Sequence, residues 1–320
     1  MAWFITGAAG FIGSNLSTHL LKAGHAVVGF DNFLTGKREN IKRIQEVGGS
    51  FQFIEGDIRN KQQVAAAVRN AEHVVHLAAQ GSVQKSFEDV GVNNDINVGG
   101  FLNMLTAAAE AGVRTFAYAS SCSVYGDTVK MPITESVPPM PLSPYAVSKL
   151  ANELYASSLD ATYAKMRVIG LRFFNIFGPW QDPAGDYAAV VPKWIDRLMS
   201  GERPVLFGDG TATRDFCHVD NICRLIETLG KSERKLPHAV YNIGTGVATN
   251  LGALYVAIAL PLSKRGEKIN EAGPEYRSWR AGDIVHSLSD ITKAREEIGY
   301  APAVDLAAGM ELLLKEQYKI

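Results

Sequence analysis

The stretch that decides the fold is AWFITGAAGFIGSNLSTHLLKAGHAVVGFD, residues 2–31. Its apolar start, Ala2–Thr6, predicts a short strand, and three glycines with the spacing GxxGxxG follow directly. The next segment predicts a helix that stops at Gly24, and a second apolar run predicts a strand that ends at Asp31. A strand, a glycine-rich turn, a helix, a second strand and a terminal acid together indicate a dinucleotide-binding βαβ unit.

The glycines match what a bound dinucleotide requires of the backbone. Gly7, Gly10 and Gly13 allow a tight turn, close approach to a pyrophosphate and close packing of helix on strand. The first helical residues, Phe11 and Ile12, then face the phosphates, because a helix N-terminus presents unpaired N–H groups and a partial positive charge. We therefore predict that all five residues contact the cofactor.

Asp31 indicates which dinucleotide is bound. Its carboxylate is placed to accept hydrogen bonds from a ribose diol, and it would repel a 2′-phosphate. The sequence thus predicts NAD rather than NADP. Lys37 and Arg38 follow a few residues later and are phosphate-binding residue types, but we interpret this segment as a solvated loop.

The alternation of strands and helices continues through the first half of the chain. Further strands are predicted at residues 51–55, 73–77, 115–119 and 167–174, and a helix with apolar residues on more than one face at 94–112. This pattern predicts an α/β protein with a Rossmann-type, doubly wound parallel sheet. The ends of the first strands supply further predicted cofactor contacts: Asn32, Asp57, Ile58, Leu77, Ala78 and Ala79. His76 is interpreted as a strand residue and not as a catalytic one.

The second half of the chain is less regular. Residues 215–219 and 239–243 look like further core strands with a helix between them, and the tail is mostly amphipathic helix. We therefore expect a cofactor domain, residues 1–175 and 215–247, and a smaller C-terminal α/β lobe that binds substrate, residues 176–214 and 248–320.

A second motif joins a strand end to a helix start. Ser121 follows the predicted strand at 115–119, at the sheet edge where ligands bind in open parallel sheets. Ser143 and Pro144 are suited to begin a helix, which places Tyr145 and Lys149 on one helix face at i and i+4. A nearby ammonium would lower the pKa of the phenol and suit it to proton transfer. A lone YxxxK is common on helix surfaces, so this motif indicates a catalytic role only in combination with the other motifs of the chain.

Composition narrows the classes of partner. The 320 residues carry 32 Lys and Arg against 33 Asp and Glu, a balance that does not favour nucleic acid or a membrane surface. No apolar run has the length of a membrane span, and the N-terminus lacks a signal-peptide pattern. The three cysteines lack zinc-ligand spacing, and we predict no metal. We expect a cytoplasmic protein.

Taken together, these motifs resemble the extended short-chain dehydrogenase/reductase family over essentially the whole chain. The motifs are GxxGxxG at 7–13, SSxxVYG at 120–126, YxxxK at 145–149, RFFNxxG at 172–178, GDG at 208–210, RDF at 214–216 and RAGD at 280–283. The RAGD motif at 280–283 resembles the corresponding motif of the family members that act on nucleotide sugars. Residues 186–194 and 282–287 are most similar to bacterial UDP-N-acetylglucosamine/UDP-N-acetylgalactosamine 4-epimerases.

The resemblance implies roles for individual residues. It implies Ser121, Tyr145 and Lys149 as the catalytic set, with Tyr145 as the base and the last two also touching the cofactor. The substrate contacts that it implies are Gly81, Ser82, Ser121, Ser123, Asn175, Gln181, Ala189, Val190, Lys193, Gly208, Arg214, Arg280, Asp283 and Ser287. It also implies a homodimer through the helices at 94–112 and 144–163. Departures from the family pattern at Cys122, Phe173, Trp180 and Val285 concern the identity of the sugar.

The implied reaction is NAD-dependent C4 epimerisation of a UDP-sugar through a transient 4-keto intermediate, within nucleotide-sugar metabolism. The small Ser287 side chain favours UDP-GlcNAc/UDP-GalNAc, alongside UDP-Glc/UDP-Gal. A 4,6-dehydratase needs an Asp-Glu pair where this chain has Cys122 and Ser123. A UDP-glucuronate 4-epimerase or decarboxylase stays open, as does a non-catalytic NAD-bound sensor or scaffold.

Overall fold

The computed structural model describes residues 1–183, 189–232, 238–270, 272–279 and 285–320. Its strands are β1 (Ala2–Thr6), β2 (Ala26–Asp31), β3 (Phe51–Glu55), β4 (His73–His76), β5 (Thr115–Ser121), β6 (Arg167–Phe173), β7 (Asn175–Phe177), β8 (Val205–Phe207), β9 (Thr213–Arg214), β10 (Phe216–His218), β11 (Ala239–Ile243), β12 (Thr249–Asn250) and β13 (Glu275–Arg277). Its α-helices are α1 (Phe11–Lys22), α2 (Arg38–Glu46), α3 (Lys61–Ala67), α4 (Val83–Glu88), α5 (Val90–Asn94), α6 (Gly100–Glu110), α7 (Pro144–Leu159), α8 (Val190–Met199), α9 (Val219–Lys231), α10 (Leu251–Lys264), α11 (Thr292–Ile298) and α12 (Leu306–Leu313).

Seven of the strands form one parallel sheet in the order β11-β6-β5-β4-β1-β2-β3. Strand order reverses on either side of β1, so the carboxyl ends of β1 and β4 border a crevice. This is the predicted Rossmann-type doubly wound architecture, and β1, β2, β3 and β11 have the predicted bounds. β5 is two residues longer than predicted, which makes Ser121 its last residue.

The core lies on both faces of this sheet because strand side chains alternate. Trp3 and Ile5 pack on one face with residues of α1 and α9, whereas Phe4 packs on the other face with residues of α3, α6 and α7. Parallel sheets covered by helices on both faces have near-continuous apolar strands, as β1 and β6 do. The catalytic helix candidate, α7, is thereby fixed against the second face.

Two expectations about the elements were wrong. The strand at Phe216–His218 does not join the large sheet. It pairs in parallel with β7, beyond the end of β6, because β11 already occupies the place beside β6. The helix predicted from residue 94 instead begins with α5 and passes through a π-helical turn, Asp95–Gly99, before α6.

The smaller lobe has its own apolar cluster. Residues of α8, β8, α10 and α12 pack together, with Trp194, Leu206, Ile258 and Met310 all buried. The division into two lobes at the predicted boundaries stays a prediction. Ile291 to Tyr300 lie in the segment assigned to the smaller lobe, yet they pack in the sheet's core. None of the helices in the described part of the chain combines the length and apolar character needed to cross a bilayer.

Candidate active site

The glycine-rich turn between β1 and α1 is shaped by backbone contacts that exclude side chains. Gly7 has φ +71°, and a Cβ there would lie 2.8 Å from the backbone nitrogen of Ala78. A Cβ on Gly13 would collide with the carbonyl oxygen of Gly7, so α1 packs directly on the turn. Gly10 is the N-cap of α1, whose first residues are Phe11 and Ile12. This leaves an open helix N-terminus facing the end of the sheet.

Asp31 holds this turn at the end of β2. Its Oδ2 accepts from the backbone N–H of Ala9 at 3.0 Å, and its Oδ1 accepts from that of Phe33 at 2.8 Å. Burial raises the pKa of Asp31 above its usual value, and these backbone hydrogen bonds oppose the rise. The carboxylate therefore orients the turn, and each oxygen keeps a second lone pair for a ribose hydroxyl.

A cavity of about 90 Å³ lies at this edge of the sheet. Nine of the predicted cofactor residues line it: Gly7, Gly10, Asp31, Asn32, Asp57, Ile58, Leu77, Ala78 and Ala79. Sequence reasoning missed Phe30, Leu34, Thr35, Gly56 and Ile96, which are also among the described residues that line it. A glycine cradle at a helix N-terminus, with a carboxylate at the end of the next strand, fits the pyrophosphate and ribose of NAD.

Thr6 joins the two strand ends that border this cavity. Its hydroxyl oxygen accepts from the backbone N–H groups of Leu77 and Ala78, each at 3.2 Å, and lies 2.9 Å from Nδ1 of His76. Burial lowers the pKa of His76 to about 3, so this histidine is neutral near pH 7. His76 is a strand residue, as interpreted from the sequence.

The predicted catalytic residues meet where β5 ends and α7 begins. The Ser143 hydroxyl caps α7 by accepting from the backbone N–H of Ala146, and Pro144 occupies the first turn. Tyr145 and Lys149 then share the helix face that lies against β5, which brings Tyr145 close enough to Ser121 for the serine to oppose the rise in the tyrosine pKa. The ammonium of Lys149 lies 5.7 Å from the centre of the Tyr145 ring and donates to the Ala119 carbonyl at 2.9 Å. The structure thus brings all three together.

The electrostatics of this group differ from the expectation. Burial raises the pKa of Tyr145 to about 12, and the hydrogen bond with Ser121 only partly opposes it. Burial also lowers the pKa of Lys149 to about 8. The predicted lowering of the phenol pKa was wrong for the protein alone, because desolvation is the largest effect on Tyr145 and raises its pKa. Further positive charge beside the phenol is needed to bring its pKa towards neutrality.

A second, larger cavity of about 700 Å³ lies between the loop after β4 and the smaller lobe. Seven predicted substrate residues line it: Gly81, Ser82, Asn175, Ala189, Val190, Lys193 and Arg214. Its lining also includes Arg197, Arg277 and Trp279, which sequence reasoning missed because they lie outside any recognised motif. Several cationic side chains around one cavity suit an anionic ligand such as a diphosphate.

Four other predicted substrate residues are not among the described residues that line this cavity. Gln181 donates from Nε2 to the Ile176 carbonyl at 3.3 Å, and Ser123 donates its backbone N–H to the Ser121 hydroxyl. Gly208, at φ +84°, packs against the indole of Trp279, and Ser287 is buried with its N–H bonded to the Thr213 carbonyl. The predictions at Arg280 and Asp283 lie outside the described residues.

Comparisons with known proteins agree with this architecture. Residues 3–244 match the model of the NAD dependent epimerase/dehydratase family. The chain is 37% identical over 316 residues to a UDP-glucose 4-epimerase of Mycolicibacterium smegmatis, covering 97% of this chain and 96% of the relative.

Two solved structures extend the comparison. A UDP-N-acetylglucosamine 4-epimerase from Methanobrevibacter ruminantium M1, in complex with UDP-N-acetylmuramic acid, superposes with a TM-score of 0.88 at 31% identity and 99% coverage of both chains. The UDP-glucose 4-epimerase of Thermus thermophilus, in complex with NAD, superposes with a TM-score of 0.83 at 33% identity and 98% coverage of both. With the family model covering most of the chain, and relatives of this identity matching it end to end, the protein belongs to the NAD dependent epimerase/dehydratase family and is an NAD-dependent enzyme.

Proposed function

We propose that this enzyme epimerises C4 of a UDP-sugar, most readily UDP-GlcNAc/UDP-GalNAc and also UDP-Glc/UDP-Gal. The observation that carries the proposal is that adjacent parts of one loop line the two cavities. Leu77 to Ala79 line the smaller cavity, where the pyrophosphate and ribose of NAD would bind, and Gly81 to Gln84 line the larger, cationic one. A sugar nucleotide in the larger cavity would reach the cofactor at this junction. The relatives named for UDP-sugar 4-epimerisation support the same assignment.

The chemistry assigned to the chain begins with Tyr145. Its phenolate takes the proton of the sugar 4-hydroxyl, and Ser121 holds the 4-oxygen by a hydrogen bond. NAD held by the glycine turn and Asp31 would supply first the acceptor and then the donor of the C4 hydride, and its positive charge would favour the phenolate. Lys149 adds a second positive charge. When the 4-keto sugar has turned over, the hydride returns to C4 from the other face and Tyr145 returns the proton to the 4-oxygen, so the cycle has no net redox change.

Dehydration is disfavoured by the residues after Ser121. Elimination of water across C5 and C6 needs an acid and a base, and this chain has Cys122 and Ser123 at those places. Burial raises the pKa of the Cys122 thiol to about 12, so it is a poor proton donor near neutral pH. The product is therefore expected to keep its 6-hydroxyl.

The preference for an N-acetylated sugar rests on small residues. Gly81 and Ala189 line the larger cavity, and Ser287 lies beside Thr213 next to it. Small side chains leave room for a 2-acetamido group in both orientations that the sugar must adopt. This part of the proposal is independent of the C4 chemistry.

We also propose that the enzyme is a homodimer, through α7 and the α4–α5 segment. α7 exposes Val147, Leu154 and Tyr155 on the face opposite its buried catalytic side, and Phe87 and Val90 lie exposed on the neighbouring segment. Leu154 is 63% exposed and Val90 55%, values that suit residues covered by a partner. The apolar residues of α6 are mostly buried within the chain, so the two-sided cover expected for residues 94–112 comes from the fold itself.

A substrate panel tests the assignment. The purified enzyme is incubated without added NAD with UDP-GlcNAc, UDP-Glc or UDP-glucuronate, and the products are resolved by chromatography. We expect the highest kcat/KM for UDP-GlcNAc and measurable turnover of UDP-Glc. Turnover of UDP-glucuronate alone would assign the site to UDP-glucuronate. In a parallel incubation with added NAD, reduction of NAD with net oxidation of the sugar would contradict epimerisation.

A further inference from the structure

Three side chains of α7 contact three consecutive residues of β5. Tyr145, Lys149 and Glu153 are spaced four apart and so lie on one helix face. Tyr145 lies beside Ser121, Lys149 donates to the Ala119 carbonyl, and Glu153 accepts from the hydroxyl of Ser120 at 2.5 Å. The first two residues carry the proposed chemistry, but the third has no role in it.

Glu153 is also half of a buried ion pair. Its Oε1 accepts from Arg172 Nε at 2.9 Å and its Oε2 from Arg172 Nη2 at 2.7 Å. Both residues are about 95% buried, and Arg172 on β6 lies directly opposite Ser120 in the strand register. Both oxygens of the carboxylate are therefore engaged by side chains of two neighbouring strands.

The hydrogen-bond network continues from Arg172 to Tyr125 and Asn242. Arg172 Nη1 donates to the Tyr125 hydroxyl at 2.7 Å, and that hydroxyl donates to Asn242 Oδ1 at 2.6 Å. Tyr125 closes the short 3-10 turn Cys122–Tyr125 that leads away from Ser121. The helix, both strands and the turn that frame Ser121 are thus linked by one set of buried hydrogen bonds.

A buried ion pair is a poor source of net stability, because desolvation offsets much of the attraction, and apolar pairs of similar volume often serve as well. What it supplies is geometry, since each of its bonds has a short length and a fixed direction. Here those bonds fix the register of α7 on β5 one helical turn from Lys149.

We propose that Glu153 is a positioning residue that, through Ser120 and Arg172, sets the placement of Tyr145 against Ser121. The inference rests on the proposed function, in which these two side chains bind the reacting oxygen. A misplacement of about 1 Å between catalytic groups can cost about 100-fold in rate. Loss of Glu153 is therefore expected to act on kcat and to leave sugar-nucleotide binding nearly unchanged.

The primary test is Glu153→Gln, which keeps the shape and removes the charge. We expect kcat to fall about 10- to 100-fold, with KM for the UDP-sugar within about threefold of wild type. The matched control is Tyr118→Phe, which removes a partly buried hydrogen bond to His238 from the same strand, two residues before Ser120. It should lower the melting temperature and leave kcat within about twofold. Unchanged kcat in Glu153→Gln would overturn the proposal.

A double variant covers the case in which Glu153→Gln folds poorly with Arg172 left unpaired. Glu153→Met with Arg172→Met removes both charges, so the melting temperature should recover while kcat stays at least about tenfold below wild type. Recovery of kcat together with stability would overturn the proposal by showing that the pair is only structural. A crystal structure of the variant gives a readout independent of substrate. Displacement of the Tyr145 hydroxyl from Ser121 would support the proposal and an unmoved hydroxyl would overturn it, even if the proposed epimerase activity itself failed.

Discussion

The ammonium of Lys149 lies 5.7 Å from the centre of the Tyr145 ring and is hydrogen-bonded to the backbone carbonyl of Ala119. The lysine therefore serves two purposes at once, since it fixes the helix against β5 and places a positive charge beside the phenol. Burial of both groups has opposite effects on their pKa values, raising that of Tyr145 to about 12 and lowering that of Lys149 to about 8. In the protein alone, the phenol is therefore protonated near pH 7.

Tyr145→Phe tests the assignment of the base. The substitution deletes one hydroxyl and keeps the ring, so we expect kcat to fall by at least about 100-fold, within the usual range for a general acid–base group. UDP-sugar affinity, measured by calorimetry, should stay close to that of wild type. A variant that retained more than about a tenth of the wild-type rate would show that another residue is the base.

Ser287→Tyr tests the preference for the sugar. Ser287 is buried and bonded to the carbonyl of Thr213, which lies between the cavity-lining residues Ala212 and Arg214, so we expect a bulky ring there to fill part of the sugar site. We expect loss of turnover of UDP-GlcNAc with UDP-Glc turnover retained, compared by kcat/KM. Equal loss for both sugars, with a lower melting temperature, would mean a folding defect. No loss for either would place Ser287 outside the pocket and remove the argument for the acetamido group.

Leu154→Glu tests the homodimer. A charge at the centre of the exposed apolar face of α7 should dissociate the dimer, because it would be buried without a partner. Light scattering at micromolar concentration should give a dimer mass for wild type and a monomer mass for the variant. Val256→Glu is the matched control, since Val256 is 55% exposed on α10, away from this face, and should leave the dimer intact. A monomeric wild type would contradict the interface.

Glu227→Gln tests a pH-dependent interaction between Glu227 on α9 and His19 on α1. Partial burial would raise the pKa of Glu227, but hydrogen bonds from Lys231 and His19 outweigh it and lower the pKa to about 2. A carboxyl group whose pKa is lower in the folded state stabilises that state at pH values above its unfolded-state pKa. This contribution is lost as the pH falls towards the folded-state pKa of about 2. The variant should lose about 2 kcal/mol of unfolding free energy at pH 7, less than the full pKa shift implies, because solvent screens the exposed Lys231 ammonium. Urea titrations of the two proteins should converge on acidification, and a constant gap down to the acid limit would contradict the account.

The parts of the site that the sequence predicted depend on local spacing. The glycine turn and Asp31 lie within one βαβ unit, and the helix start at Pro144 places Tyr145 and Lys149 on one face. Such local features can be predicted from the sequence, because turn and helix geometry depends mainly on residues that are neighbours in the chain. Nine predicted cofactor residues accordingly line one cavity.

The parts that it missed depend on contacts between distant segments. Thr6 meets Leu77 only because β1 and β4 are neighbours, and Arg172 meets Glu153 only because β6 lies beside β5 in a particular register. Strand order and register are set by packing of the whole sheet, and no motif encodes them. The pKa of Tyr145 was mispredicted for the same reason, since burial is a property of the assembled fold.

The most direct test of the central claim follows the hydrogen on C4. Purified enzyme, with no added NAD, is incubated with UDP-GlcNAc carrying deuterium at C4, and the products are separated and analysed by mass spectrometry and NMR. The account predicts UDP-GalNAc that retains deuterium at C4, because the hydride removed from one face returns to the other within one active site. Deuterium lost to solvent, or no C4 epimer formed from any UDP-sugar, would contradict it.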